Sequence, residues 1–92
     1  MNSKIIIGIL ADTKQEAIEY CKYITKLDNG YDMSGSDVIL ETPFCLFVKL
    51  LKSDFYCGRI HYVYAKKEDT ETDYFREVII PMFSCGIGLI NE

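Results

Sequence analysis

The stretch from Glu68 to Glu77 reads Glu-Asp-Thr-Glu-Thr-Asp-Tyr-Phe-Arg-Glu. It holds five carboxylates (Glu68, Asp69, Glu71, Asp73, Glu77) and one base, Arg76, a net of −4. The whole chain is also −4, so everything outside this stretch sums to zero. Charge concentrated in this way creates a local field that a basic partner feels. Aromatic residues are the usual anchors of protein interfaces, and Tyr74 and Phe75 lie inside the charged run. A partner-binding surface is therefore expected at Glu68, Asp69, Glu71, Asp73, Tyr74 and Glu77, with Tyr56, Tyr62 and Tyr64 extending it. The plainer alternative is a solvated helix start, because carboxylates in a first turn suit the helix dipole. Calcium is excluded as an EF-hand ligand. Such a loop needs a central glycine, and none lies between positions 59 and 85.

Three other groupings carry chemistry in principle. Gly8-Ile9-Leu10-Ala11-Asp12-Thr13-Lys14-Gln15 sits where a Walker A loop would join strand to helix. Gly8 and Lys14 are in register, but Thr13 replaces the second glycine and Gln15 the magnesium-binding hydroxyl. Ile9 and Leu10 are apolar where the loop should expose its backbone. Cys57-x-x-x-His61 suggests zinc with Cys45 or Cys85, yet the short Cys-x-x-Cys or His-x-x-x-His pairs of structural sites are missing. The same pair as nucleophile and base needs contact and an orienting third group. His61 is the only histidine. The expectation is no metal, no cofactor and no catalytic residue.

The totals narrow the classes further. Ninety-two residues, 49% apolar and 26% charged, describe one ordinary globular domain. A chain of this size has a small core, which oligomerisation would help. The acidic balance and scattered bases disfavour direct binding to nucleic acid or to an anionic membrane. Four widely spaced cysteines, Cys21, Cys45, Cys57 and Cys85, without a secretion signal are expected to be reduced. The apolar run Ile5–Leu10 ends at Asp12 without a small-residue cleavage site, so a buried strand is expected there, in a cytoplasmic protein.

The elements that must position these residues follow from hydrophobic period. Lys4–Leu10 reads as a strand covered on both faces. Thr13-Lys14-Gln15-Glu16 is a capping box, followed by Ala17, Tyr20, Cys21, Ile24 and Leu27 at helical spacing, predicting a helix over 13–27. Asp28-Asn29-Gly30 supplies its left-handed cap. Val38–Leu40 is a second strand. Two readings compete for 44–51. Thr42-Pro43 would start a helix, whereas Phe44, Phe47 and Val48 favour a strand; the strand is preferred. Arg59–Ala65 alternates and predicts a further strand, paired antiparallel to the one before it. Thr70 or Thr72 caps a second helix through Tyr74, Phe75, Val78, Ile79 and Met82, which Pro81 breaks. Residues 84–91 make a short last strand. The fold class is α/β (or α+β), a small mixed sheet of four to five strands with two helices. The order is β-α-β-β-β-α-(β), and a parallel strand–helix–strand return should be right-handed.

Strand, helix, Asp37–Thr42, a hairpin, then Gly58–Tyr64 leading to Tyr74–Met82 resembles small uncharacterised proteins encoded by bacteriophages. Their layout is that of a cut-down P-loop-type α/β domain. In such domains an acidic residue after the strand equivalent to 60–64 holds magnesium, and Ala65-Lys66 stands there instead. The resemblance covers about two thirds of the chain and implies a scaffold without its catalytic parts. It implies a non-enzymatic module in the host cytoplasm. Its target would be a nucleic-acid-handling protein such as a defence nuclease, whose basic groove would take carboxylates in place of phosphates. The alternative is a small-ligand, nucleotide-like binder with Lys14 near the helix start, since helix N-termini favour anions.

Overall fold

The computed structural model describes residues 4–53 and 58–90. Isoleucine-rich β1, Ile5–Ala11, takes the centre of a five-stranded sheet of order β2-β3-β1-β4-β5. The other strands are β2 (Val38–Glu41), β3 (Cys45–Leu51), β4 (Ile60–Ala65) and β5 (Phe83–Leu89). β1 pairs in parallel with β3, Ile5 opposite Cys45 through Ala11 opposite Leu51, and in parallel with β4. β4 pairs in parallel with β5, and only β2 is antiparallel, forming a hairpin with β3. A mostly parallel sheet needs cover on both faces. The apolar, unalternating β1 is what a central strand of such a sheet requires.

One face is covered by α1, Lys14–Thr25, whose Ala17, Ile18, Tyr20 and Cys21 pack with Ile9, Ala11, Ile39, Leu40 and Phe47. The other is covered by an irregular stretch: α2 (Lys67–Thr70), a π-helical turn (Phe75–Ile79) and a 3-10 turn (Ile80–Met82). Phe75 and Ile79 enter a second core with Leu10, Leu50, Ile60, Val63 and Ala65. Along β4 and β5 the rings of Tyr62 and Tyr64 lie across Gly86 and Gly88. A Cβ on Gly88 would sit 2.3 Å from the Tyr64 ring, so this strand needs glycine there.

The mixed α/β architecture and the element order match expectation, including the strand at 44–51, which begins at Cys45, and the last strand. Five details differ. β4 is not an antiparallel partner of β3. β3 already has β2 on one side and β1 on the other, so β4 takes the free side of β1. The strand after α1 is antiparallel to β1, and the parallel return is completed only by β3. α1 stops at Thr25, where Lys26 (φ 63°) adopts the left-handed cap and donates its N–H to Lys22 C=O, before Asn29 and Gly30 are reached. The second helix, expected from Thr70 or Thr72 onward, does have Thr72 accepting from Phe75 N–H at its start, but it runs as a π-helical and then a 3-10 turn and is preceded by the separate short α2. β1 is fully buried only from Gly8 onward, and Ile5 is exposed at its start.

Candidate functional site

The parallel strands end together, so the residues that follow them meet on one side of the molecule. Register puts Ala11 beside Leu51. The next residues, Asp12 and Lys52, are therefore neighbours. Lys52 donates its N–H to Ala11 C=O at 3.1 Å, and its Nζ lies 2.8 Å from Asp69 Oδ1 and 3.4 Å from Asp12 Oδ1. Burial pulls the Lys52 pKa down, but the hydrogen bond and charge of Asp69, then those of Asp12, outweigh it and leave the value raised. Lys52 thus holds its proton firmly between two carboxylates.

A cleft of about 300 Å³ opens beside this cluster, lined by Leu10, Lys52, Asp69, Thr72 and Tyr74. β1 is the strand at which the chain's direction of travel across the sheet reverses. It has β3 on one side and β4 on the other. The crevice at the carboxyl ends of such a switch is where open α/β sheets bind ligands. Thr72 shapes the cleft wall. Its hydroxyl donates to Asp69 C=O (2.8 Å) and accepts from Phe75 N–H (3.2 Å), tying α2 to the turn that follows.

The acidic stretch splits into inward and outward residues. Glu68, Glu71, Asp73 and Glu77 are exposed, with Asp73 paired to Arg76. Asp69 is turned to Lys52, Tyr74 is half-buried at the cleft, and Phe75 is buried in the core. Phe75 is therefore a core residue, not a surface anchor. Tyr64 packs with the α1-side core and Tyr62 lies over Gly86, so neither extends the surface around Tyr74. Tyr56 and Cys57 lie outside the described residues. His61 Nδ1 accepts the N–H of Ile6 at 3.0 Å, a structural bond to the central strand. Among the described residues no group of three or more His, Cys, Asp or Glu is placed to hold a metal ion.

The start of α1 is occupied by its own side chains. Thr13 Oγ1 accepts from Glu16 N–H (3.1 Å), and Glu16 Oε1 accepts from Asp12 N–H (3.0 Å). Lys14 turns away to the loop before β2, where its Nζ donates to the carbonyls of Ser34 and Ser36. Lys66, just after the end of β4, has its Nζ 5.1 Å from the centre of the Tyr20 ring.

Sequence reasoning missed Asp12 and Lys52 as members of a site. The available signal was that each directly follows an apolar strand. It became informative only with the parallel register of β1 and β3. No protein-family model, curated protein or solved structure matches the chain. No helix among the described residues is long and apolar enough to cross a membrane.

Proposed function

We propose that the chain is a non-enzymatic protein-binding module that docks its acidic stretch on a basic partner. The observation carrying this reading is the division of labour within residues 68–77. Asp69 and Phe75 fasten the stretch to the sheet, while Glu68, Glu71, Asp73 and Glu77 face solvent. Carboxylates held on a fastened segment lose little further freedom on binding. The cleft beside them offers the aliphatic stem of a partner lysine or arginine a wall at Leu10 and Tyr74, with its charged head reaching out to the exposed carboxylates. A groove evolved for phosphates offers such side chains in rows. An inhibitor of a host defence nuclease, encoded by a bacteriophage, is the corresponding biological role.

The test is binding kinetics against a nuclease with a basic groove, across a salt series. Glu68→Lys with Glu71→Lys should lower the association rate at least about tenfold at low salt and flatten its salt dependence. Tyr74→Ala should speed dissociation instead. Identical association rates for wild type and the charge reversal at every salt concentration would sink the proposal.

The small-ligand reading has one observation in its favour, the cleft at the switch point. Its phosphate-binding version is disfavoured by the surroundings. Lys52 is already neutralised by two carboxylates, Lys14 points elsewhere, and α1's first turn is capped. Calorimetry with ATP and GTP should show no binding that Lys14→Ala removes.

A further inference from the structure

The two edges of the sheet are built differently, and one of them is left open. β2 is four residues long, has a register irregularity between Val38 and Leu40, and is flanked by charges: Asp37 pairs with Lys49, and Glu41 with Lys4. Short length, bulging and charge are the usual guards of an edge. β5 lacks most of them. No charged residue occurs from Val78 to Asn91. The only irregularity in its pairing with β4 falls near its start, between the Phe83 and Gly86 pairs. Beyond that point Ile87 is 44% and Leu89 49% exposed, and Val78 and Ile80 of the preceding turns are exposed as well.

The backbone shows which groups are unused. Ile90 N–H donates to Ala65 C=O, and Gly88 and Gly86 stand opposite Tyr64 and Tyr62. Parallel pairing alternates, so Gly86, Gly88 and Ile90 turn their N–H and C=O to β4. Cys85, Ile87 and Leu89 turn theirs outward, where no strand among the described residues meets them.

We infer that β5 is a homodimer edge, pairing antiparallel with β5 of a second copy about a two-fold axis near Ile87. The outward triad is centred on Ile87. A dyad there sets Cys85 against the partner's Leu89 and Ile87 against its own counterpart. About six backbone hydrogen bonds would form. Identical copies of an acidic chain repel, and this is the long stretch where they can meet without opposing charges. A foreign strand gains nothing from a charge-free edge that a second copy does not, and the second copy is always present. The guarded β2 edge then stops growth at two, giving a closed ten-stranded sheet. The inference is independent of the acidic docking surface, which lies at the carboxyl ends of the strands. In such a dimer the two acidic surfaces face opposite ways.

Sedimentation velocity of the full chain tests it. An edge of this length buries less than about 1,200 Å² in total, so self-association in the micromolar range is expected, visible between about 1 and 500 μM. Ile87→Lys puts two like charges at the dyad and should weaken association at least about 100-fold. Its circular dichroism should match wild type, since Ile87 is exposed. Leu89→Lys is the second variant and should act in the same direction. Ile87→Cys should cross-link under mild oxidation through the two introduced thiols, because paired Cα atoms about 5.5 Å apart suit a disulfide. Glu68→Lys with Glu71→Lys should leave the dimer intact. A wild-type monomer throughout the concentration range would overturn the inference, as would folded Ile87→Lys and Leu89→Lys proteins that dimerise like wild type.

Discussion

The two faces of this sheet are covered by the same length scale of chain in unlike ways. On one face α1 obeys every local rule: a side-chain cap at Thr13, a returning carboxylate at Glu16, four buried residues on one stripe and a defined left-handed stop at Lys26. On the other, the cover starts without a side-chain cap at Lys66, runs four residues as α2, then widens into a π-turn and tightens into a 3-10 turn at Pro81. Two large side chains, Phe75 and Ile79, fasten its π-turn to the core. The regular cover spends its sequence on being a helix. The irregular one concentrates its attachment in a few points and leaves Glu68, Glu71, Asp73 and Glu77 facing solvent. π-Turns inserted in helical segments recur at functional sites.

This contrast can be broken most forcefully at the anchors. Phe75→Ala should cost about 3–5 kcal/mol and Ile18→Ala on α1 about 2–4 kcal/mol by denaturant unfolding. If the irregular cover hangs on a few anchors, of which Phe75 is the largest buried one, Phe75→Ala should also raise proteolytic nicking within 67–82, which Ile18→Ala should not. Equal protection of both segments would show that the irregular cover is held as broadly as α1. Next in size, Thr13→Ala should cost about 1 kcal/mol through the lost cap. Native-state hydrogen exchange sharpens the comparison without mutation: amides of 67–82 should open at lower free energy than those of 17–25.

The chemistry of the buried thiol gives a pH-dependent version. Burial under α1 pushes the Cys21 pKa up from 9.0 to about 12, partly offset by a hydrogen bond with Tyr31. The folded state therefore keeps the thiol protonated where the unfolded chain would ionise it. This contribution to stability is complete below pH 9.0 and is lost progressively as pH rises towards about 12. Among the three described cysteines, alkylation at pH 8 should modify exposed Cys85 first, Cys45 more slowly, and Cys21 only on unfolding. Rapid labelling of Cys21 would mean that α1, too, opens easily. The smallest effect belongs to the acidic stretch itself. Glu68→Lys with Glu71→Lys should shift stability by less than about 0.5 kcal/mol, since exposed charges contribute little.

The same contrast explains what could be read from the residues. α1 was legible because its capping box and stripe are local signals, complete within the segment. β1 was legible because a run of isoleucines has few other uses. The second cover was legible only in its Thr72 cap and its apolar period. Tyr74, Phe75, Ile79 and Met82 all do turn towards the core, as a helical period requires. Yet Val78 is exposed, and the π-turn that accommodates this leaves no mark in the composition. Strand partnership was the other failure. The alternation of 59–65 reveals a strand but not its neighbour, and a hairpin with β3 is the local guess. The choice of β1 is made by packing on both faces at once. For the site, charge located Glu68, Glu71, Asp73 and Glu77 on the surface, whereas Asp12 and Lys52 needed the register. Asp69 looked like another surface acid until its lysine was found.

Placing β1 at the centre has a consequence for the timing of synthesis. Of the described strands β1 is made before both of its neighbours: β3 pairs with it from about forty residues downstream and β4 from more than fifty. At about 5–20 residues per second, Ile5–Leu10 waits several seconds beside a growing chain before either flank can close. Nothing in α1 can shield both faces of that run. The nascent protein therefore passes through a window in which its most aggregation-prone segment is complete and unpartnered. Holdase chaperones that bind short isoleucine-rich stretches should engage it there, and release it only once β4 has emerged.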